Sequence, residues 1–206
     1  MLATTPPRLL LLDFDGLVAD YSHAARIVAL ATHCNVEPAA VAQAIFGSGL
    51  EAAHDSGRID TAGYLREITQ ALGRPLDEAG WIAARVAASR AKSQVVEMLG
   101  KLDPALAVGI LSNNSALMLQ AIRQIAPGLF PRLEGKVLCS AMLGVRKPAP
   151  EAFVAALAYF GVEARHALFV DDLFVNVRGA RAAGLHAETA RDARTLRKVL
   201  RRYRLL

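Results

Sequence analysis

Short apolar runs that end in polar clusters recur four times along this chain. The first is Leu9–Leu12, which leads directly into Asp13-Phe14-Asp15-Gly16. The other runs, 107–111, 136–140 and 167–170, lead into Ser112-Asn113-Asn114, a loop with Arg146-Lys147-Pro148, and Asp171-Asp172. Because segments with helical periodicity lie between the runs, the pattern predicts βαβ units and a parallel sheet. Ligands of such sheets bind at the carboxyl ends of the strands, so the polar clusters are expected at one edge.

The interval between the first two strands is far longer than one crossover helix needs, which indicates an insertion. Helical patterns punctuated by Gly and Pro cover 21–34, 37–46, 61–72 and 78–99. We expect residues 18–94 to form an all-helical cap over the sheet edge, and residues 1–17 and 95–206 to form the α/β core. Further helices are predicted at 115–126, 150–160, 174–183 and 191–203, with a fifth strand at 185–187. The expected fold class is α/β, a three-layer, doubly wound, Rossmann-like parallel sheet with an inserted helical cap.

Composition favours a soluble globular protein without membrane partners. Of the 206 residues, 53% are hydrophobic and 21% are charged, and no apolar run approaches the roughly 18 residues of a membrane span. The N-terminal residues lack the pattern of a signal peptide, so a cytoplasmic location is expected. Cys34 and Cys139 are far apart and lack metal-ligand spacing, which predicts two buried, reduced thiols.

The formal net charge of +5 is concentrated near residue 200. Basic residues at helical spacing oppose an apolar stripe there, which predicts an amphipathic surface helix with a solvated face. The basic residues are Arg194, Arg197, Lys198, Arg201 and Arg202. No aromatic interleaving or nucleic-acid-binding motif accompanies them, so we do not expect a nucleic acid partner. The sequence does not indicate an oligomeric state.

Four carboxylates at one sheet edge would repel one another strongly. A pair about 4 Å apart costs ~4 kcal/mol at an effective dielectric of ~20. A cation or protons must relieve this repulsion, and an all-oxygen ligand set favours a hard cation. Mg²⁺ is a hard cation that would relieve the repulsion, and it commonly binds together with a phosphorylated substrate. Taken alone, Ser112-Asn113 is typical of a helix N-cap and Lys147 of a surface lysine. Together with the acids they match phosphoryl transfer, which needs a carboxylate nucleophile, a metal and donors for the phosphoryl oxygens.

These motifs together resemble the haloacid dehalogenase-like (HAD) hydrolase superfamily, in its phosphatase branch with a helical cap inserted after the first motif. The resemblance spans most of the chain and rests on the order of four motifs. They are Asp13-Phe14-Asp15-Gly16, Ser112 with Asn113, Lys147-Pro148-Ala149-Pro150-Glu151, and Asp171-Asp172. Dehalogenase members lack the second acid of the first motif, so Asp15 favours phosphate chemistry over cleavage of a carbon–halogen bond.

The resemblance implies a role for each motif residue. Asp13 would attack phosphorus and form an aspartyl-phosphate, while Asp15 would protonate the leaving oxygen and later activate water. Ser112, the amide of Asn113 and Lys147 would hold the phosphoryl oxygens, and Ser112 and Lys147 would count among the catalytic residues. Mg²⁺ would be bound by Asp13, by the backbone carbonyl of Asp15, and by the fourth-motif pair Asp171-Asp172, with Asp172 favoured over Asp171 as the direct ligand.

The sequence therefore predicts a Mg²⁺-dependent phosphatase that hydrolyses phosphomonoesters of small metabolites. Two alternatives remain open at this point. One is a sugar phosphomutase of the same superfamily, which needs a cap that retains a phosphorylated intermediate. The other is a non-catalytic module that binds phosphate or nucleic acid through the basic C-terminal helix.

Overall fold

The computed structural model describes residues 6–206 and is organised around a five-stranded parallel sheet. In chain order the strands are β1 (Leu9–Leu12), β2 (Ala19–Tyr21), β3 (Ser89–Ala91), β4 (Ala107–Ser112), β5 (Val137–Cys139), β6 (Ala167–Asp171) and β7 (His186–Thr189). The sheet order is β5-β4-β1-β6-β7, and β2 and β3 form a separate antiparallel ribbon. Because β1 is central, the residues that follow it are flanked by the ends of β4 and β6.

Helices fill the connections between the strands. They are α1 (His23–Cys34), α2 (Pro38–Val41), α3 (Leu50–Asp55), α4 (Thr61–Leu72), α5 (Glu78–Ala87), α6 (Ser93–Gly100), α7 (Met118–Ile125), α8 (Ser140–Leu143), α9 (Pro150–Phe160), α10 (Phe174–Ala182) and α11 (Ala193–Arg202). A π-helical turn, Ala42–Gly47, continues α2. Asp60, Asp77 and Asp192 accept hydrogen bonds from the first turns of α4, α5 and α11, so each of these helices begins at an aspartate N-cap.

Both faces of the sheet are buried, as the unbroken apolar sequence of β1 requires. Alternate residues point to opposite faces: Leu10 and Leu12 pack into one apolar cluster, and Leu9 and Leu11 into another. The first cluster includes residues of α6, α7 and α11, and the second includes residues of α9 and α10. The result is the predicted three-layer α/β fold.

The helices of the long insertion are joined by a buried polar cluster. Arg26 of α1 donates a hydrogen bond to Glu51 of α3, and the hydroxyl of Tyr64 of α4 donates another to Glu51. Trp81 Nε1 of α5 donates to the Tyr64 hydroxyl at 3.3 Å, and the Arg26 guanidinium lies 4.7 Å from the centre of the Trp81 ring. Removing one member would leave a buried charge or donor unpaired, so this cluster ties four helices to one arrangement.

The insertion differs from the predicted pattern in three places. The helix expected at 78–99 is two helices, because Ser89–Ala91 form β3 and pair with β2. The six residues of the ribbon lie within the stretch 18–94 that was expected to be wholly helical. A short helix, α3, was not predicted between Gly49 and Gly57. These elements are short and depend on tertiary pairing, so local periodicity does not mark them.

Two further expectations, for the C-terminal helix and for the cysteines, agree with the fold. Leu196, Val199 and Leu200 of α11 are buried, so this helix packs by its apolar stripe. Cys34 and Cys139 are free and buried. Within residues 6–206, none of the helices combines the length and apolar character needed to cross a membrane. Residues 1–5 of the predicted core lie outside the described part of the chain.

Candidate active site

A tight loop after β1 presents the two acids of the first motif. Phe14 is fully buried and anchors the loop, and its carbonyl accepts hydrogen bonds from the main-chain N–H groups of Val18 and Ala19 at 2.9 and 3.0 Å. Gly16 has φ = +82°, a conformation that L side chains rarely adopt, and it reverses the chain toward β2. The acids on either side of Phe14, Asp13 and Asp15, both line one pocket.

Register places the ends of the neighbouring strands beside Asp13. Leu12 of β1 is paired with Val170 of β6 on one side and with Ile110 of β4 on the other. The N–H of Asp13 donates to the Val170 carbonyl at 2.9 Å. Asp171 and Ser112, the last residues of β6 and β4, therefore flank Asp13 at the carboxyl edge of the sheet, as the sequence predicted.

Lys147 lies between two of the carboxylates. Its Nζ donates to Asp13 Oδ1 at 2.6 Å and to Asp171 Oδ2 at 2.8 Å, and its side chain is 1% exposed. Burial, the largest influence, lowers the pKa of Lys147, but the charges of Asp13 and Asp171 together raise it above its usual value. Burial raises the pKa of Asp13 to about 7, with a smaller contribution from Asp171, although Lys147 opposes the shift. The three groups form one buried charge network.

Asp171 and Asp172 complete the acidic cluster. Asp171 is fully buried; its Oδ1 accepts from the N–H of Leu173 at 2.8 Å, and both of its oxygens accept from Asn176 Nδ2. Asp172 is partly exposed and lines the pocket, and burial followed by the charge of Asp171 raises its pKa. One oxygen from each of Asp13, Asp171 and Asp172 lies within 4.8 Å of the others. Such a set of carboxylates can hold a metal ion.

The Ser112-Asn113-Asn114 segment connects the site to the loop that carries Lys147. The Asn113 side chain donates to the Lys147 carbonyl at 2.8 Å and accepts from the Lys147 N–H at 2.9 Å. These two hydrogen bonds engage the Asn113 carboxamide. Asn114 Nδ2 donates to Ser112 Oγ at 2.8 Å and to Asp15 Oδ2 at 3.2 Å, so Asn114 links the second motif to the first.

Asp15 also contacts a residue of the insertion. Arg85 of α5 reaches Asp15 Oδ2 with its Nη2 at 2.5 Å, and the Arg85 side chain is only 1% exposed. The other Asp15 oxygen, Oδ1, is buried and has no hydrogen-bond partner among the described residues. The two oxygens of Asp15 therefore differ: Oδ2 accepts from one guanidinium and one carboxamide, whereas no described residue donates to the buried Oδ1.

Most of these groups line one pocket of about 460 Å³. The residues that line it are Asp13, Asp15, Gly16, Asp20, Tyr21, Ser112, Asn113, Asn114, Arg146, Lys147, Asp172, Leu173 and Asn176. Every residue that the sequence singled out as a site candidate lines this pocket except Asp171, which is fully buried. Sequence reasoning did not assign roles to Asn114, Asn176 or Arg85. The sequence could have indicated Asn114 and Asn176, because each lies within five residues of a predicted site residue.

The family model for haloacid dehalogenase-like hydrolases matches residues 7–184. The chain therefore belongs to the haloacid dehalogenase-like hydrolase family.

Relatives and solved structures agree with this membership. Phosphatase MT3486 of Mycobacterium tuberculosis is 40% identical over 82 residues, a stretch that covers 40% of this chain and 37% of that protein. A predicted HAD-like hydrolase from Porphyromonas gingivalis has the same fold, with a TM-score of 0.78 at 20% identity over 96% of this chain and 99% of that one. A HAD family enzyme from Bacteroides thetaiotaomicron, solved as a variant in complex with magnesium and inorganic phosphate, has a TM-score of 0.71 at 21% identity over 88% and 92% of the two chains.

Proposed function

We propose that this protein is a Mg²⁺-dependent phosphatase that hydrolyses phosphomonoesters of small metabolites through a phosphorylated Asp13. The observation that carries the proposal is the meeting of two carboxylates, Asp13 and Asp15, with the ammonium of Lys147 and the hydroxyl of Ser112 in one pocket. The two acids supply a nucleophile and a proton donor, and the other groups offer hydrogen bonds to an anion. The phosphatase name of the mycobacterial relative and the phosphate bound by the Bacteroides enzyme support the same chemistry.

The residues present fit a magnesium ion. The clustered oxygens of Asp13, Asp171 and Asp172 are hard ligands, and Mg²⁺ binds through a few carboxylates while it retains water and phosphate. We assign Asp13 and Asp172 as side-chain ligands and Asp15 as a ligand through its backbone carbonyl. We assign the fully buried Asp171 a supporting role beside these ligands. When bound, the ion neutralises charge on the transferring phosphoryl group and keeps the carboxylates ionised.

In the first step, an oxygen of Asp13 forms a bond to phosphorus as the bond from phosphorus to the ester oxygen breaks. Asp15 gives its proton to that departing oxygen, which leaves as an alcohol. In the second step, Asp15 takes a proton from water, and the water oxygen displaces the Asp13 carboxylate from phosphorus to release inorganic phosphate. The Ser112 hydroxyl, the main-chain N–H of Asn113 and the Lys147 ammonium hold the phosphoryl oxygens during both steps. The Asn113 side chain is engaged with Lys147 and is not counted among these donors.

We further propose that residues 18–94 act as the cap that selects the substrate, with residues 1–17 and 95–206 as the catalytic core. Two contacts support this division. Tyr21, at the base of the insertion, lines the pocket, and Arg85 of α5 contacts Asp15. An insertion that begins directly after the first motif lies where it can exclude water from the reacting groups.

The test is a phosphate-release assay with a panel of phosphorylated metabolites and aryl phosphates. The wild-type protein should release inorganic phosphate with Mg²⁺ and lose this activity when EDTA removes the metal. Asp13→Asn, which keeps the shape of the side chain but removes the nucleophile, should lower turnover at least ~10³-fold without lowering the unfolding temperature. Turnover by Asp13→Asn at the wild-type rate would contradict the assignment. Isomerised sugar phosphate in place of free phosphate would identify a phosphomutase instead.

A further inference from the structure

Arg85 is a buried arginine of the insertion that binds the proposed acid/base of the core. Its Nη2 lies 2.5 Å from Asp15 Oδ2, although 70 positions separate the two residues in the chain. Arg85 belongs to the last turn of α5, next to the ribbon that joins the insertion to the sheet. This ion pair restrains the carboxylate on which the proposed chemistry depends.

The base of the insertion holds Arg85 in one orientation. Its Nη1 donates to Ser89 Oγ at 2.7 Å, and its guanidinium carbon lies 3.8 Å from the centre of the Tyr21 ring. Tyr21 and Ser89 are partners in the register of β2 and β3. The ribbon therefore holds the guanidinium, which donates a hydrogen bond to one strand and makes a cation–π contact with the other.

Arg85 and Asn114 act on the same oxygen of Asp15. Arg85 Nη2 and Asn114 Nδ2 both donate to Oδ2, at 2.5 and 3.2 Å, whereas Oδ1 has no partner among residues 6–206. Two donors on one oxygen set the plane of the carboxyl group. Because Oδ1 is buried without a partner in the described part of the chain, the orientation of the carboxyl group depends on the hydrogen bonds at Oδ2.

We infer that Arg85 is a positioning residue that holds Asp15 through Oδ2 and so keeps its carboxyl group oriented for proton transfer to the leaving-group oxygen of the substrate. This inference rests on the proposed phosphatase activity. A general acid must lie within about 2.6–3.2 Å of the atom it protonates, so rotation of the Asp15 carboxyl group would slow this step. Glutamine is too short and uncharged to replace the arginine, whereas lysine keeps the charge.

The inference predicts a particular kinetic signature in Arg85→Gln. Phenyl phosphate needs protonation of its leaving oxygen much more than 4-nitrophenyl phosphate does, because nitrophenolate is the better leaving group. We expect kcat/KM of Arg85→Gln to fall roughly tenfold further for phenyl phosphate than for 4-nitrophenyl phosphate. Arg85→Lys should recover part of the lost ratio. The ratio of the two kcat/KM values does not depend on the fraction of folded enzyme. It therefore reports on proton transfer in the active site even if the variant is less stable.

Two comparisons separate positioning from a general structural effect. Arg123→Gln breaks an exposed ion pair with Glu134 that has the same 2.5 Å distance, and it should leave the ratio unchanged. In an Asp15→Asn background, Arg85→Gln should add no further change to the ratio, because the group that it positions is already lost.

An equal loss of kcat/KM for both esters, or an effect of Arg85→Gln that adds fully to that of Asp15→Asn, would overturn the role of Arg85 while leaving the phosphatase proposal intact. Absence of turnover in the wild-type protein, or full activity of Asp13→Asn, would overturn the proposed function and this inference with it.

Discussion

Asp171 and Asp172 are adjacent in the chain, but their carboxylates have different surroundings. Both oxygens of Asp171 accept hydrogen bonds, from Lys147, Asn176 and the Leu173 N–H, and its side chain is fully buried. Asp172 reaches the pocket. A carboxylate that already accepts several donors is suited to orienting its neighbours, which supports the proposal that Asp172, rather than Asp171, is the direct cation ligand.

Gly16 makes room for Asp172. A Cβ atom at position 16 would lie 2.5 Å from Asp172 Oδ2, and the positive φ of Gly16 adds backbone strain for any other residue. We predict that Gly16→Ala raises the Mg²⁺ concentration for half-maximal activity roughly tenfold or more, because the new methyl group displaces a proposed metal ligand. A Mg²⁺ titration of phosphate release measures this change.

Gly135→Ala is the matched control for Gly16→Ala. Gly135 also has a positive φ, +65°, but its Cβ would meet no atom within 4 Å. This variant should lose ~1 kcal/mol of stability from the backbone alone and keep the wild-type Mg²⁺ requirement. Equal shifts in the Mg²⁺ requirement of the two variants would show that backbone strain, rather than contact with Asp172, is responsible.

Helix α10 supports the loop that carries Lys147. Gly179 of α10 lies against that loop, and a Cβ at this position would collide with the carbonyl oxygen of Pro148 and lie 2.9 Å from its carbonyl carbon. The backbone has little freedom to move away, since Asn113 holds Lys147 on the other side. The position of the Lys147 ammonium therefore depends on the absence of a side chain at position 179.

We predict that Gly179→Ala lowers kcat/KM for phosphate release by more than about tenfold, because the shifted loop moves Lys147 away from Asp13. It should also lower the unfolding temperature, although alanine ordinarily stabilises a helix by ~1 kcal/mol relative to glycine. Gly100→Ala at the end of α6 has open space around it and should leave activity unchanged. A fully active Gly179→Ala with a raised unfolding temperature would contradict the proposed support of the loop.

The strand-end placement of the acids could be predicted from sequence, whereas the contact between Arg85 and Asp15 could not. The apolar runs at 9–12 and 167–170 predict buried strands locally, and parallel topology alone then brings Asp13 and Asp171 to one edge. Arg85 is one basic residue in a helical pattern, and nothing in its local sequence indicates a partner 70 positions away. The strand β3 was missed for a related reason: Ser89-Arg90-Ala91 has weak strand propensity and forms its strand only by pairing with β2.

The insertion and the sheet share one apolar interior. The cluster that contains Leu12 of β1 also contains Trp81 of α5 and Leu30 of α1. Together with the ribbon, this packing fixes the base of the insertion against the loop of Asp13 and Asp15. The pocket is therefore bounded by the sheet edge on one side and by the base of the insertion on the other.

The most direct test of this account is to trap the phosphoryl group on Asp13. Asp15→Asn should still accept a phosphoryl group from 4-nitrophenyl phosphate in the presence of Mg²⁺, but it should hydrolyse the resulting acyl phosphate slowly, because the group that activates water is lost. In a single-turnover time course quenched with acid, peptide mapping should place a hydroxylamine-sensitive phosphoryl group on Asp13. Release of nitrophenol while Asp13 stays unmodified at every time point, or a phosphoryl group on another residue, would contradict the account.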